Sequence, residues 1–98
     1  MLSREISIGD LRGFIYDLQR GEGLPLHVHG RDDVHITIVA TGRIIVRGPT
    51  ITQYDVLAGG CVDFDAGAAH EIVAKADGTR IYNICKYYGG RNAQPESR

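Results

Sequence analysis

The residues best suited to chemistry are four histidines, three of which lie in one short stretch. His27 and His29 are separated by one residue, and His35 follows a glycine-led turn. On a β-strand, residues two apart project from the same face, so His27 and His29 would point together. The turn predicts that the chain folds back and places His35 beside them. Three converging imidazoles predict a transition-metal site, since imidazole suits Zn, Cu, Fe and Ni and is also found on Mn.

The elements that position these histidines are predicted to be β-strands. Helical periodicity is nearly absent, and short β-prone runs are separated by Gly, Pro and Asp, which predicts an all-β barrel or sandwich. We expect one barrel over residues 1–90 and a flexible polar tail over residues 91–98. Besides the strand that carries the first histidines, the expected strands are 2–8, 12–18, 35–40, 43–48, 51–57, 61–65, 70–76 and 79–88.

Composition excludes several classes of partner. The chain has 98 residues, a formal net charge of -1 and no run of Lys and Arg, which gives no electrostatic reason to bind nucleic acid. Without an apolar stretch long enough for a membrane span or a signal peptide, we expect a cytoplasmic protein that does not bind membranes. The two cysteines, Cys61 and Cys85, are expected to be buried thiols because each lies in an apolar, strand-like setting.

The strand at residues 35–40 predicts an interface. If His35 faces the barrel interior, Thr37 and Val39 face it too, and the outward side chains are all apolar: Ile36, Ile38 and Ala40. An exposed apolar patch usually marks an interface. Either the N-terminal strands or a second subunit must cover it, and we expect a homodimer.

Residues 23–74 resemble the cupin superfamily. The first cupin motif contains H-x-H, then a glutamate and a closing glycine, and the second contains two glycines and a histidine. The matching residues are His27, His29 and Gly42 in the first motif and Gly59, Gly67 and His70 in the second. His35 occupies the interval of the glutamate. The resemblance implies a cupin-type double-stranded β-helix, or jelly-roll barrel, with a metal bound by His27, His29, His35 and His70, similar to small manganese-binding four-histidine cupins.

The chain departs from the cupin motifs at four positions. Gly23 lies one residue closer to the histidine pair than the motif has it, and His35 replaces the glutamate after a longer turn. Asp65 replaces a proline and Ala74 an asparagine. An alternative to His35 as the fourth ligand is Asp33, which would supply a carboxylate. The register from His35 to Gly42 favours His35.

A four-histidine site would favour particular ions and reactions. Imidazoles contribute no negative charge, so a bound divalent ion would be a strong Lewis acid. An octahedral ion would keep two open positions, whereas zinc with four ligands would be closed. We therefore expect Mn or Fe, with Ni, Cu or Zn as alternatives. The resemblance implies dioxygenase-type oxidation of a small organic substrate; the alternatives are a metal-dependent isomerase, epimerase or lyase, or a non-catalytic cupin that binds a small ligand.

Overall fold

Nine β-strands make up the architecture of the part of the chain that the structure describes. A computed structural model describes residues 1–28, 34–64 and 68–86. The strands are β1 (Leu2–Ile8), β2 (Leu11–Leu18), β3 (Gly23–His27), β4 (Val34–Thr41), β5 (Arg43–Gly48), β6 (Ile51–Leu57), β7 (Cys61–Asp63), β8 (His70–Ala74) and β9 (Thr79–Lys86). They confirm the predicted all-β class. The predicted tail, residues 91–98, lies outside the described residues.

The strands form two antiparallel sheets. The five-stranded sheet has the order β1-β2-β9-β4-β7, and the four-stranded sheet has the order β3-β8-β5-β6. The last strand, β9, lies at the centre of the larger sheet, with β2 on one side and β4 on the other. Strands distant in sequence are therefore neighbours in space, which is how His70 reaches the early histidines.

Side chains that alternate along the strands fill the space between the sheets. On β4, His35, Thr37 and Val39 are at most 2% exposed, whereas Ile36 and Ile38 on the other face are half-buried. The predicted inward and outward faces of this strand are confirmed. The buried apolar core takes residues from both sheets: Leu18, Val39, Val62 and Ile81 from the larger one and Ile44, Val46, Val56, Ile72 and Ala74 from the smaller one.

The first histidine strand is shorter than predicted. β3 includes His27 and ends there, and Val28 lies outside it, so the expectation of one strand that runs from His27 to His29 is wrong at Val28. The register of β3 against β8 also shifts between Leu24 and His27. Pro25 lies inside this shift and has no N–H to give to the ladder, which accounts for the irregularity. His29 itself lies outside the described residues.

The two cysteines have different environments. Cys85 is buried as predicted, but Cys61 is exposed, so that prediction is wrong for Cys61. Cys61 pairs in register with Ile38, which points away from the interior, and paired residues share a face. Its position on an edge strand, on the outward face, explains the exposure.

No helix within residues 1–28, 34–64 and 68–86 is long and apolar enough to cross a membrane.

Candidate metal centre

Two of the predicted ligands, His27 and His70, lie side by side on neighbouring strands. His27 ends β3 and His70 begins β8, and the two residues are directly opposite in the antiparallel register. Residues that pair in this way point to the same face. Their ring centroids are 4.5 Å apart. Strand pairing therefore brings His27 and His70 together although they are far apart in sequence.

His35 approaches the same point from the opposite sheet. It lies near the start of β4, and its ring centroid is 6.5 Å from that of His27 and 5.8 Å from that of His70. The three rings thus bridge the two sheets. His35 is 2% exposed and His70 is 0% exposed, while His27 is half-buried. Solvent reaches the group on the side of His27.

Backbone carbonyls fix the protonation pattern of two of the rings. Nδ1 of His27 lies 2.7 Å from the carbonyl oxygen of Pro25, and Nδ1 of His70 lies 2.9 Å from that of Ala68. A carbonyl can only accept a hydrogen bond, so each Nδ1 donates a proton and each Nε2 keeps its lone pair. Hydrogen bonds of this kind orient metal-binding histidines and raise their basicity as ligands. Both histidines use the carbonyl two residues earlier in the chain.

Burial keeps His70 neutral. Removal of its ring from water lowers the pKa of His70 below the ordinary 6.5, and the nearby His27 lowers it further. The hydrogen bond to Ala68 opposes this shift. Nε2 of His70 and both ring nitrogens of His35 are shielded from solvent. A neutral imidazole in such a setting is the form that binds metals.

The spacing of the rings is compatible with one shared ion. A nitrogen about 2.1 Å from a metal places its ring centroid about 3.3 Å away, so two rings on one ion lie within about 6.6 Å of each other. The three observed separations all satisfy this limit. As they are placed, however, no three His, Cys, Asp or Glu side chains among the described residues form a complete metal-binding group. Two other candidates, His29 and Asp33, lie outside those residues, as does Gly67 of the second motif.

Phe64 is a component of the site that the sequence interpretation missed. Its ring lies 3.7 Å from that of His70 at an interplanar angle of 5°, and it also stacks on His35 at 5.4 Å. The backbone N–H of Phe64 donates to the carbonyl of His35 at 3.2 Å. The alternation of Val62 and Phe64 was a usable signal, because both apolar side chains face inward. Phe64 holds both rings in place and excludes water from them.

Gly48 leaves room for the start of β8, where His70 lies. A Cβ at this position would overlap the carbonyl oxygen of Ala69 and come within 3.3 Å of the Cα of His70. Any side chain at the end of β5 would therefore push the start of β8 outward. The requirement comes from a tertiary contact, which the sequence pattern does not reveal.

Several other polar side chains of the two sheets lie away from the histidines. Arg43 pairs with Asp55 and Arg47 with Glu71, all on the surface. Tyr82 is on the outward face of β9, because it pairs with Ile38. A buried pair was missed: Oγ1 of Thr37 donates to Oδ1 of Asn83 at 2.7 Å, one inward position deeper than His35.

Comparison with known proteins identifies the fold. No family model matches the sequence, and no curated protein is similar to it in sequence. A Bacillus halodurans protein superposes with a TM-score of 0.76 and 20% identity, over 96% of this chain and 76% of its own. A Cupin 2 conserved barrel domain protein from Salinispora arenicola gives a TM-score of 0.71 and 19% identity, over 87% and 74%.

A third structural neighbour has a named activity. It is a sugar phosphate isomerase from the cupin superfamily, from Silicibacter pomeroyi, with a TM-score of 0.70 and 16% identity over 82% of this chain. The present chain spans about half of that protein, 52% of its length. At these identities the likeness concerns the fold. With two antiparallel sheets in jelly-roll arrangement and neighbours of this kind, the chain has a cupin-type fold.

Proposed function

We propose that this cupin binds a divalent transition metal through His27, His35 and His70, together with His29, and catalyses a dioxygenase-type oxidation of a small organic substrate. The observation that carries the proposal is the approach of three imidazoles from both sheets to within 6.5 Å. Ordinary core histidines satisfy their ring nitrogens locally and have no reason to collect at one point. We expect Mn or Fe at a site with open positions, with Ni, Cu or Zn as alternatives.

Other residues of the protein orient the imidazoles for metal binding even without an ion. The carbonyls of Pro25 and Ala68 hold the Nδ1 protons, so the lone pairs of His27 and His70 are on Nε2. Phe64 fixes the ring of His70 by stacking. A bound ion would polarise a substrate oxygen and, if redox-active, exchange electrons with it.

Inward from the histidines, the side chains are polar first and apolar next. Thr37 and Asn83 present a hydrogen-bonded polar pair one inward position below His35, and the apolar core begins at Val39. A molecule that enters on the exposed side of His27 would therefore meet the imidazoles first and polar side chains next. This order favours a substrate with oxygen functions over an apolar one.

A redox-neutral reaction is the second candidate, because one neighbour by fold is a sugar phosphate isomerase. In that case the ion would act only as a Lewis acid. The two candidates differ in their need for oxygen. Turnover that is undiminished under anaerobic conditions and with a redox-inert ion would select isomerisation over oxidation.

The first test is the metal content of the purified whole chain, by inductively coupled plasma mass spectrometry. We expect about one Mn or Fe ion per wild-type chain, and a loss of about tenfold or more in affinity for His35→Ala and His70→Ala. Thr37→Val changes a buried neighbour on the same face as His35 and is the matched control. Its metal content should equal that of the wild type.

Two results would count against the proposal. Metal that survives His35→Ala but not His70→Ala would move a ligand to another residue, with Asp33 the first to test. A wild-type chain that takes up none of Mn, Fe, Ni, Cu or Zn under any loading condition would refute the enzymatic proposal and leave binding of a small ligand. If the chain is loaded, oxygen consumption with a library of small organic substrates tests the reaction, with His35→Ala as the inactive reference.

A further inference from the structure

One basic side chain, that of Arg12, lies on the inner face of the five-stranded sheet. On β2, Phe14 and Leu18 are buried in the barrel, and Arg12 is on the same face because it precedes Phe14 by two residues. The other basic residues of the described strands alternate with inward residues, or pair with outward ones, and so face outward: Arg4, Arg43, Arg47, Arg80 and Lys86.

The strand registers place Arg12 in one row with His35. Arg12 of β2 is opposite Cys85 of β9, and Cys85 is opposite His35 of β4. Neighbouring strands are about 4.8 Å apart, so the Cα atoms of Arg12 and His35 are separated by about 10 Å. Both side chains project from the same face of the sheet. A small molecule can therefore contact the guanidinium of Arg12 and the histidine group at the same time.

The ion pair that Arg12 forms is long. Its Nη1 lies 3.4 Å from Oε2 of Glu5, whereas a charge-assisted hydrogen bond is typically about 2.8 Å long. On the outward face, by contrast, Arg80 makes two contacts with the carboxylate of Asp17, at 2.6 and 2.9 Å. Exposed ion pairs contribute little to stability. Arg12 can therefore exchange Glu5 for another carboxylate.

Solvent reaches Arg12 from the side of β1. This strand is an edge of the five-stranded sheet, and all of its residues are exposed, on the inner face as well as on the outer one. The side chain of Arg12 is 27% exposed and that of Glu5 is 47% exposed. A dissolved molecule can therefore reach Arg12 without any movement of the strands.

A basic side chain in the row of a metal-binding histidine favours an anionic ligand. Neutral imidazoles leave a divalent ion with its positive charge, and the guanidinium of Arg12 stays protonated. Two positive groups in one row repel each other. Glu5 offsets this repulsion in part, from an exposed position on the edge strand. An anion between Arg12 and the metal would be attracted by both.

We propose that Arg12 binds the carboxylate of the substrate, so that the substrate of the candidate metal centre is a small organic acid. A single guanidinium matches the two oxygens of one carboxylate. The inference rests on the proposed metal-dependent function and adds the class of substrate to it. Glu5 occupies Arg12 until the acid replaces it.

Isothermal titration calorimetry of the Mn²⁺-loaded whole chain tests the proposal, with malonate, succinate and glutarate as probes. Their neutral diamides have the same carbon skeletons and serve as the reference for charge. Arg12→Gln should weaken binding of the tightest dicarboxylate by about tenfold or more and leave binding of its diamide unchanged. The metal content of Arg12→Gln, measured by mass spectrometry before and after titration, should equal that of the wild type.

Two further variants sharpen the test. Glu5→Gln removes the competing carboxylate and should tighten dicarboxylate binding by about threefold. Arg43→Gln is the matched control, because Arg43 forms a similar exposed pair with Asp55, at 3.3 Å, on the other sheet. It should bind the dicarboxylates as the wild type does. Circular dichroism confirms that each variant is folded.

The outcomes separate this inference from the proposed function. Equal dicarboxylate binding by metal-loaded wild type and Arg12→Gln would overturn the role of Arg12 and leave the metal site intact. An equal loss for dicarboxylate and diamide would also overturn it, because Arg12 would then act on the shape of the site and not on charge. A metal-loaded wild type that binds none of the dicarboxylates would overturn it as well. A wild type that takes up no metal would refute the proposed function, and this inference with it.

Discussion

At the scale of residues, His27 and His70 share one local hydrogen-bonding arrangement. Each donates its Nδ1 proton to the carbonyl two residues earlier, so the chain itself selects the tautomer with a lone pair on Nε2. This arrangement needs no other side chain, because the backbone carbonyl two residues earlier orients the ring. Burial then removes the charged form of His70, since its pKa lies below the ordinary value.

This lowered pKa predicts how stability depends on pH in the metal-free chain. Between the folded pKa of His70 and the unfolded value of 6.5, the unfolded chain binds more protons, so the free energy of unfolding rises with pH. The contribution is complete above about pH 6.5 and is lost as the pH falls toward the folded pKa, with a slope of at most about 1.4 kcal/mol per unit.

Urea unfolding in the presence of a chelator at pH 7.5, 6.5 and 5.5 measures this slope. His70→Asn removes the titrating group and keeps an N–H near the carbonyl of Ala68, so its slope over this range should be smaller. Equal slopes in the wild type and in His70→Asn would contradict the assignment of this pH dependence to His70.

The buried pair of Thr37 and Asn83 predicts a second residue-scale effect. Thr37→Val removes the donor and leaves Oδ1 of Asn83 buried, which should cost about 1–3 kcal/mol in the free energy of unfolding. Thr41→Val is the same substitution on the same strand, but its hydrogen bond to the carbonyl of Gly78 is exposed. Chemical denaturation should show a smaller loss for Thr41→Val; a larger one would refute this interpretation.

At the scale of elements, the turn between β4 and β5 carries the chain from one sheet to the other. Gly42 has a φ of 82°, and a Cβ there would come within 2.7 Å of the Cα of Thr79. Both the positive φ and the close contact with Thr79 therefore require glycine at position 42. The resemblance to cupins includes this glycine, and the structure supplies its physical reason.

Gly42→Ala should lower the free energy of unfolding by about 3 kcal/mol, the sum of backbone strain and displacement of β9. Gly59→Ala separates the two causes, because Gly59 has a φ of 92° but a Cβ there meets nothing within 4 Å. We expect about 1–2 kcal/mol for Gly59→Ala from strain alone. Equal losses in urea titrations of the two variants would show that the contact with Thr79 is unimportant.

Local patterns predicted the strands well because alternation and turn residues act over a few positions. β6 occupies the predicted residues 51–57, and the inward face of β4 was predicted from its pattern alone. The failures depended on tertiary context. The register of β3 shifted at Pro25 and the strand ended at His27, and an edge position exposed Cys61. Phe64 entered the site because β7 pairs with β4 beside His35, which places the Phe64 ring against His70 of the opposite sheet.

At the scale of the whole molecule, the homodimer expected from the sequence would link stability to association. If two copies bind through the outward side of the five-stranded sheet, the thermal midpoint of unfolding should rise with protein concentration, because dilution favours the monomer. Differential scanning calorimetry over a hundredfold range, about 1 to 100 µM, measures this. Ile6→Glu, on β1 of the five-stranded sheet, should abolish the dependence, and Leu57→Glu, on β6 of the other sheet, should retain it. A midpoint independent of concentration in the wild type would contradict the expected homodimer.

The central place of β9 in the five-stranded sheet has a consequence for how the chain acquires its structure. Within the described residues, β9 lies between β2 and β4 and is the last strand in sequence. The hairpin of β1 and β2 therefore gains this neighbour only after residues 79–86 have been synthesised. Pairings between such distant segments are slow to form, so folding should be late, cooperative and dependent on the C-terminal strand. A chain that ends before Thr79 should remain unfolded and expose its isoleucine-rich strands to aggregation.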